Sequence, residues 1–307
     1  MCDAVQEAGG TVSAGVPLTH AAPPVAAPFA SAKHVEHPNI QAVDLGAPDP
    51  SPEQVGFLDG IQRYAVEGRI GLVPVVRGYV AAAVLRRDHG ALRAADSEAE
   101  EFVVVPLARL DATQRDALQR TGLELVDCEA AERSHPILDV QLAAKVVEER
   151  RETLERRVAR RQLATSGDAW LVVDGSVTDL VGGSDAQRVL GVIKSHETQF
   201  LEGADLDVAL TLPAHHRTSV FARSGRRATV YTWYLRLWPW EEHELLHGLV
   251  RLERAAFPET VTEATAVSRW VLGERAPLAA RDGRWDRLIY PVQQVETYLR
   301  AQVGGWW

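Results

Sequence analysis

Two Asp-Gly pairs stand far apart in the chain, and each follows a run of apolar residues: Val55-Gly56-Phe57-Leu58 before Asp59-Gly60, and Trp170-Leu171-Val172-Val173 before Asp174-Gly175. A strand terminus holds its side chain rigidly, and a following glycine lets a ligand approach the backbone. Carboxylates held that way suit hard divalent ions such as Mn2+ or Mg2+, which take oxygen ligands and keep several waters. A pair of such ions, able to activate a water and to stabilise a leaving oxygen, needs at least a third acid. Glu148, Glu149, Glu152 and Glu155 offer one. Taken singly, each Asp-Gly also reads as the start of an ordinary turn.

A competing constellation lies further on. His243-Glu244-Leu245-Leu246-His247 fits H-E-x-x-H, which on a helix sets two imidazoles on one face with a carboxylate beside a zinc-bound water, the chemistry of a zinc hydrolase. Against it, Gly248 would end that helix at once, and no third ligand stands out downstream. His215 and His216 are adjacent, so their side chains diverge. His20, His34 and His37 are scattered through a Pro-rich stretch and read as solvated. No glycine-rich phosphate loop occurs, so any ATP-driven motor must be another chain.

The elements that must position these residues follow from pattern. A chain of 307 residues, 46% apolar and 24% charged, can bury a sizeable core. Residues 1–50 are rich in Ala and Pro without periodicity and read as a disordered arm; order is expected from about Gln54. The run Leu72–Leu85 reads as one long or two adjoining buried strands, and Phe102–Leu107 as another. A helix dense in Glu and Arg is expected over Leu138–Leu163, its Arg150, Arg151, Arg156, Arg157, Arg160 and Arg161 laced to glutamates at i,i+4. Strands at Trp170–Asp174, Val230–Leu237 and Leu249–Glu253 follow, with a helix running into a strand over Asp185–Lys194 and a last helix after Tyr290-Pro291. The whole predicts a mixed α/β domain.

The net charge of -9 argues mildly against nucleic acid as a partner, though a local basic groove would suffice; Arg217, Arg223, Arg226 and Arg227 form a second basic cluster. Two cysteines, Cys2 and Cys128, exclude a disulfide framework, and no stretch approaches the roughly 20 apolar residues of a membrane span. The N-terminal stretch lacks the pattern of a signal peptide, so a cytoplasmic location is expected.

In order along the chain, Phe57-Leu58-Asp59-Gly60, the helical Arg151–Glu155, Leu171-Val172-Val173-Asp174-Gly175-Ser176, Gly191-Val192-Ile193-Lys194, Tyr231–Leu237 with Val250–Glu253, and Tyr290-Pro291 resemble the signature of NurA nucleases, over about residues 54–302. The resemblance implies a ribonuclease-H-like mixed sheet flanked by helices and a nuclease domain spanning 51–302. It implies a manganese-dependent deoxyribonuclease, a single-stranded endonuclease and 5′-3′ exonuclease. Its implied partners are DNA, a second copy in a homodimer, and a HerA-type hexameric ATPase in end processing or defence. Carried over by position, Asp59, Asp174 and Glu155 (or Glu152, one turn off) bind metal, Lys194 lies near the scissile phosphate, and Tyr290 joins the catalytic set. Two departures stand out. Gly60-Ile61 replaces the family's Gly-Ser, and Tyr298 stands where a histidine is usual, leaving Glu296 as the alternative last ligand. A catalytically weak subunit that regulates the ATPase is therefore the second reading. The terminal Gly304-Gly305-Trp306-Trp307, with Trp233, Trp238, Trp240 and Trp285, offers aromatic surface for bases or a partner, and 303–307 reads as a tail.

Overall fold

In a computed structural model, residues 2–12, 30, 32–130, 135–180, 184–224, 228–241, 243–277 and 285–304 are described. In chain order the elements are α1 (Cys2–Glu7), β1 (Gly10–Val12), β2 (Ala32–His34), β3 (Ala42–Asp44), β4 (Val55–Ile70), β5 (Val73–Asp88), β6 (Ala91–Val105), α2 (Ala112–Gln119), β7 (Glu124–Asp127) and α3 (Pro136–Thr165). There follow β8 (Trp170–Asp174), β9 (Val189–Ile193), α4 (Gly203–Leu210), β10 (His216–Thr218), β11 (Phe221–Ser224), β12 (Thr229–Arg236), β13 (Leu249–Ala255), α5 (Pro258–Gly273) and α6 (Tyr290–Gln302). They form a mixed α/β fold of the ribonuclease-H-like kind, a mixed sheet with helices.

Instead of an arm and one domain, the chain divides into two compact units. The first comprises 1–23, 60–82 and 97–157, the second 24–59, 83–96 and 158–307. In the first, β1 pairs antiparallel with the later half of β4, β5 and β6 follow, and β7 closes the edge parallel to β6. Val5 of α1 packs with Ile70, Val75, Val103, Val105 and Leu118, each at most 5% exposed. Helix α2 opens on a capping box: the Asp111 carboxylate accepts from the Gln114 N–H at 2.8 Å and the Gln114 side chain accepts from the Asp111 N–H at 3.1 Å.

The second unit carries the strand order β2-β11-β12-β13-β9-β8-β4-β5, with β4, β8 and β9 parallel and the β9-to-β2 side antiparallel. Parallel strands are covered on both faces, which is why Val189–Ile193 is buried throughout. Helix α5 lies over one face: the Trp233 indole donates to Ser268 Oγ at 2.8 Å, and Trp270 meets Trp170 edge-on at 5.7 Å. Both α5 and α6 begin with a proline in the first turn, where no N–H is needed.

The described part of 1–50 is not a disordered arm. Strand β2 pairs with β11 and β3 with β10, Ile40 and Leu45 are buried, and the Glu36 carboxylate takes a two-bond clamp from Arg217, both at 2.8 Å. These short strands are fixed by partners far along the chain, which no local period reports. Residues 13–29 and the Trp306-Trp307 tail lie outside the described residues. Among the described residues no helix is long and apolar enough to cross a membrane.

Candidate active site at the ends of three parallel strands

Strands β4, β8 and β9 run side by side, so their carboxyl-side ends share one edge, the usual place for a ligand in an open α/β sheet. The register pairs Phe57 with Val172 and Leu58 with Val173. Asp59 follows Leu58 and Asp174 follows Val173, so each aspartate stands one residue beyond this last pair, on adjacent strands. The paired Leu58 and Val173 project to one side of the sheet, and a continuing pleat turns the residue after each to the other. Asp174 in turn pairs with Val192, which puts Lys194, two residues later, on that face as well. Its Nζ donates to Asp174 Oδ2 at 2.8 Å, with the lysine side chain only 13% exposed.

One expectation is corrected here. Asp59 does not end its strand, because β4 continues to Ile70. What ends at Leu58 is the pairing with β8. After Gly60 the buried positions lose strict alternation, so pattern alone reads a stop there.

The turn after Asp174 crosses β9. Gly175 adopts φ of 121° and donates to the Val192 carbonyl at 3.0 Å. Gly191 has no room for a side chain, since a Cβ there would sit 2.5 Å from the Gly175 carbonyl oxygen and 3.0 Å from Val177 Cγ1. Beneath that turn lies Glu253, a residue that pattern reading took for an ordinary strand position. Its carboxylate is fully buried. It accepts from Ser176 Oγ at 2.6 Å, the Val177 N–H at 3.0 Å, Arg223 Nε at 2.7 Å and Arg251 Nη1 at 2.8 Å. Burial pushes this carboxyl upward, but Arg251 and Arg223 outweigh it and leave its pKa below the usual 4.5. Burial lowers the Arg251 pKa in turn. The available signal was Arg251 and Glu253 at i,i+2, with Arg254, within a strand buried throughout.

In the first unit, Glu155 pairs with Arg151 on its own helix and fills the space beside Gly60, where a Cβ would collide with its carboxylate. Glu152 pairs with Arg156 at 3.7 Å and is half exposed, so of the two helix glutamates Glu155 is the inward one. In the second unit Glu296 pairs with Arg300 on α6, and Tyr290 is 45% exposed at that helix's start. Among the described residues no three His, Cys, Asp or Glu side chains come close enough together to hold a metal ion. Two carboxylates on adjacent strands still suit an ion that fills its remaining positions with water and phosphate oxygens.

The histidine motif is not helical. His243 and His247 stack ring on ring at 4.0 Å within turns, and the His247 N–H donates to the Glu244 carbonyl at 2.8 Å rather than to that of His243, as a helical turn would require. His215 meets Arg275 at 2.7 Å, His216 the Ala214 carbonyl at 3.0 Å, and His34 the Asp205 carboxylate at 2.7 Å. Trp233 is buried core, and Trp238 packs edge-on to Trp285 at 5.8 Å.

The NurA nuclease from Sulfolobus solfataricus superposes with a TM-score of 0.51 over 84% of this chain and 81% of that one, at 11% sequence identity. The two share a fold. The catalytic domain of human endonuclease V aligns over 82% of each chain at 14% identity, with a TM-score of only 0.32. No protein-family model matches the sequence, and no curated protein matches it significantly.

Proposed function

We propose that this chain is a metal-dependent nuclease that cuts DNA, with Asp59 and Asp174 holding Mn2+ or Mg2+ and Lys194 placed to meet a phosphate. The observation that supports the reading is the register that pairs Leu58 with Val173, the residues just before the two aspartates, with Lys194 on Asp174, in a fold shared with a nuclease. A divalent ion bound there supplies positive charge to a phosphodiester and acidifies a water. Lys194 holds a point charge on Asp174 and is the group that can turn to an incoming phosphate oxygen, where compensating negative charge lowers the barrier. Glu155 joins the proposal on the sequence resemblance alone, as do Glu296 and Tyr290. Activity on single strands and from 5′ ends, a homodimer and a HerA-type hexameric ATPase partner belong to it on the same ground.

Labelled single-stranded DNA incubated with Mn2+ tests the reading. Cleavage should fall about a thousandfold in Asp59→Ala and in Asp174→Ala, the size expected when several kcal/mol of metal-borne stabilisation is lost. It should be untouched in His243→Ala. Wild-type cleavage by both aspartate variants would sink the proposal.

A second reading draws on the ion pairs that occupy Glu155 and Glu296 and on Tyr298 in the place of a histidine: a weakly active subunit that regulates the ATPase. It predicts that DNA is cut only when the ATPase is added, or not at all.

A further inference from the structure

Glu253 and Asp174 are on opposite faces of the same sheet. Glu253 pairs with Gly191, which pairs with Val173, whereas Asp174 pairs with Val192. The strand register therefore keeps the two carboxylates apart, and the backbone of 175–177 is what links them. That segment is held at both ends. Gly175 is bonded to β9, and Ser176 and Val177 are bonded to Glu253, itself fixed by Arg223 and Arg251. Arg223 Nη2 also donates to Ser176 Oγ at 2.9 Å, so the hydroxyl is engaged by both partners. Arg251 is braced in its turn by Thr232 Oγ1 at 3.1 Å and by the Phe200 ring, 4.7 Å beneath its guanidinium.

We infer that Glu253 is a positioning residue for the proposed metal site: through Ser176 and Val177 it clamps the turn after Asp174 and so fixes where that carboxylate points. The inference rests on the nuclease reading above. Groups that orient a metal ligand from behind commonly change metal affinity by about 10–100-fold when removed. A purely structural role would instead lower thermal stability and leave the affinity of the folded protein unchanged.

The test uses the full chain and MnCl2 as probe, with Mn2+ binding followed by calorimetry and, separately, the Mn2+ concentration giving half-maximal cleavage. Ser176→Ala removes the hydroxyl link and leaves the buried carboxylate with its arginines, so it disturbs the fold less than Glu253→Gln does. Ser176→Ala should weaken Mn2+ binding and raise the half-maximal concentration by about tenfold with the melting temperature nearly unchanged. Ser176→Thr, which keeps a hydroxyl, should restore both. Unchanged Mn2+ binding in Ser176→Ala and in any folded Glu253→Gln, beside a wild type that binds and cuts, overturns the positioning role alone. A wild type that neither binds Mn2+ nor cuts DNA removes the nuclease reading and this inference with it.

Discussion

Both units are laced with arginine-carboxylate pairs, yet they use them differently. In the first, Arg157 of α3 bridges Glu98 and Glu100 of β6 with its own side chain 43% exposed, and Arg150 reaches Glu100 and Glu124. In the second, Glu253 is wholly inside, shared by Arg223 and Arg251. Water screens the first lattice, so each link there is worth between nothing and about 1 kcal/mol. Out of water the same chemistry becomes unforgiving, because removing one partner strands the other's charge. The lesson is that a charge run on a helix says little until its depth is known.

Three substitutions break or sharpen that contrast. Glu253→Gln should cost about 3–5 kcal/mol in urea denaturation, since two buried guanidinium groups lose their counter-charge. The pH profile adds a sign. A carboxyl whose folded pKa lies below 4.5 stabilises the fold above that value, and the contribution disappears as pH falls from there through the folded pKa. Wild type should therefore show an acid-linked loss that Glu253→Gln lacks. Asp139→Asn tests the exception within the first unit, where a fully buried carboxylate meets Arg109 at 2.7 Å. Its loss should cost about 1–3 kcal/mol, as for other buried hydrogen-bonded groups. Arg157→Ala should change stability by less than about 1 kcal/mol, and by less still in high salt. If it cost as much as Glu253→Gln, burial would not be what separates the two regions.

The parts of the fold legible in sequence are those whose pattern is local. Helix α3, strands β8, β12 and β13 and the start of α6 lie within a few residues of where periodicity and the Tyr290-Pro291 pair put them. The helix arginines were read as bonded to glutamates along α3, which holds for Arg151 and Arg156; Arg150 and Arg157 instead reach acids on β6 and β7, a pairing that only tertiary structure creates. Strands β2 and β3 stayed hidden because three residues carry no period and their partners are distant. The continuation of β4 past Gly60 was hidden by its polar residues, Gln62, Arg63, Glu67 and Arg69.

Of the candidate site, Asp59 and Asp174 were visible as acids after apolar runs, but that their strands lie side by side is a matter of parallel pairing, which no spacing in one chain encodes. Lys194 was singled out by the family resemblance, and its bond to Asp174 shows only in the folded chain. Glu253 looked like an ordinary strand position because its partners Ser176, Val177 and Arg223 come from other parts of the chain and are not visible until the turn above it is folded.

Gly191 offers a way to sort distant relatives of this chain. The position tolerates nothing larger than hydrogen while the carbonyl of Gly175 rests on it. A homologue with any other residue there must carry its post-Asp174 segment along a different path, and so has a different rim to the proposed site whatever its overall likeness. In an alignment, one column would then separate chains that keep this crossing from chains that have abandoned it.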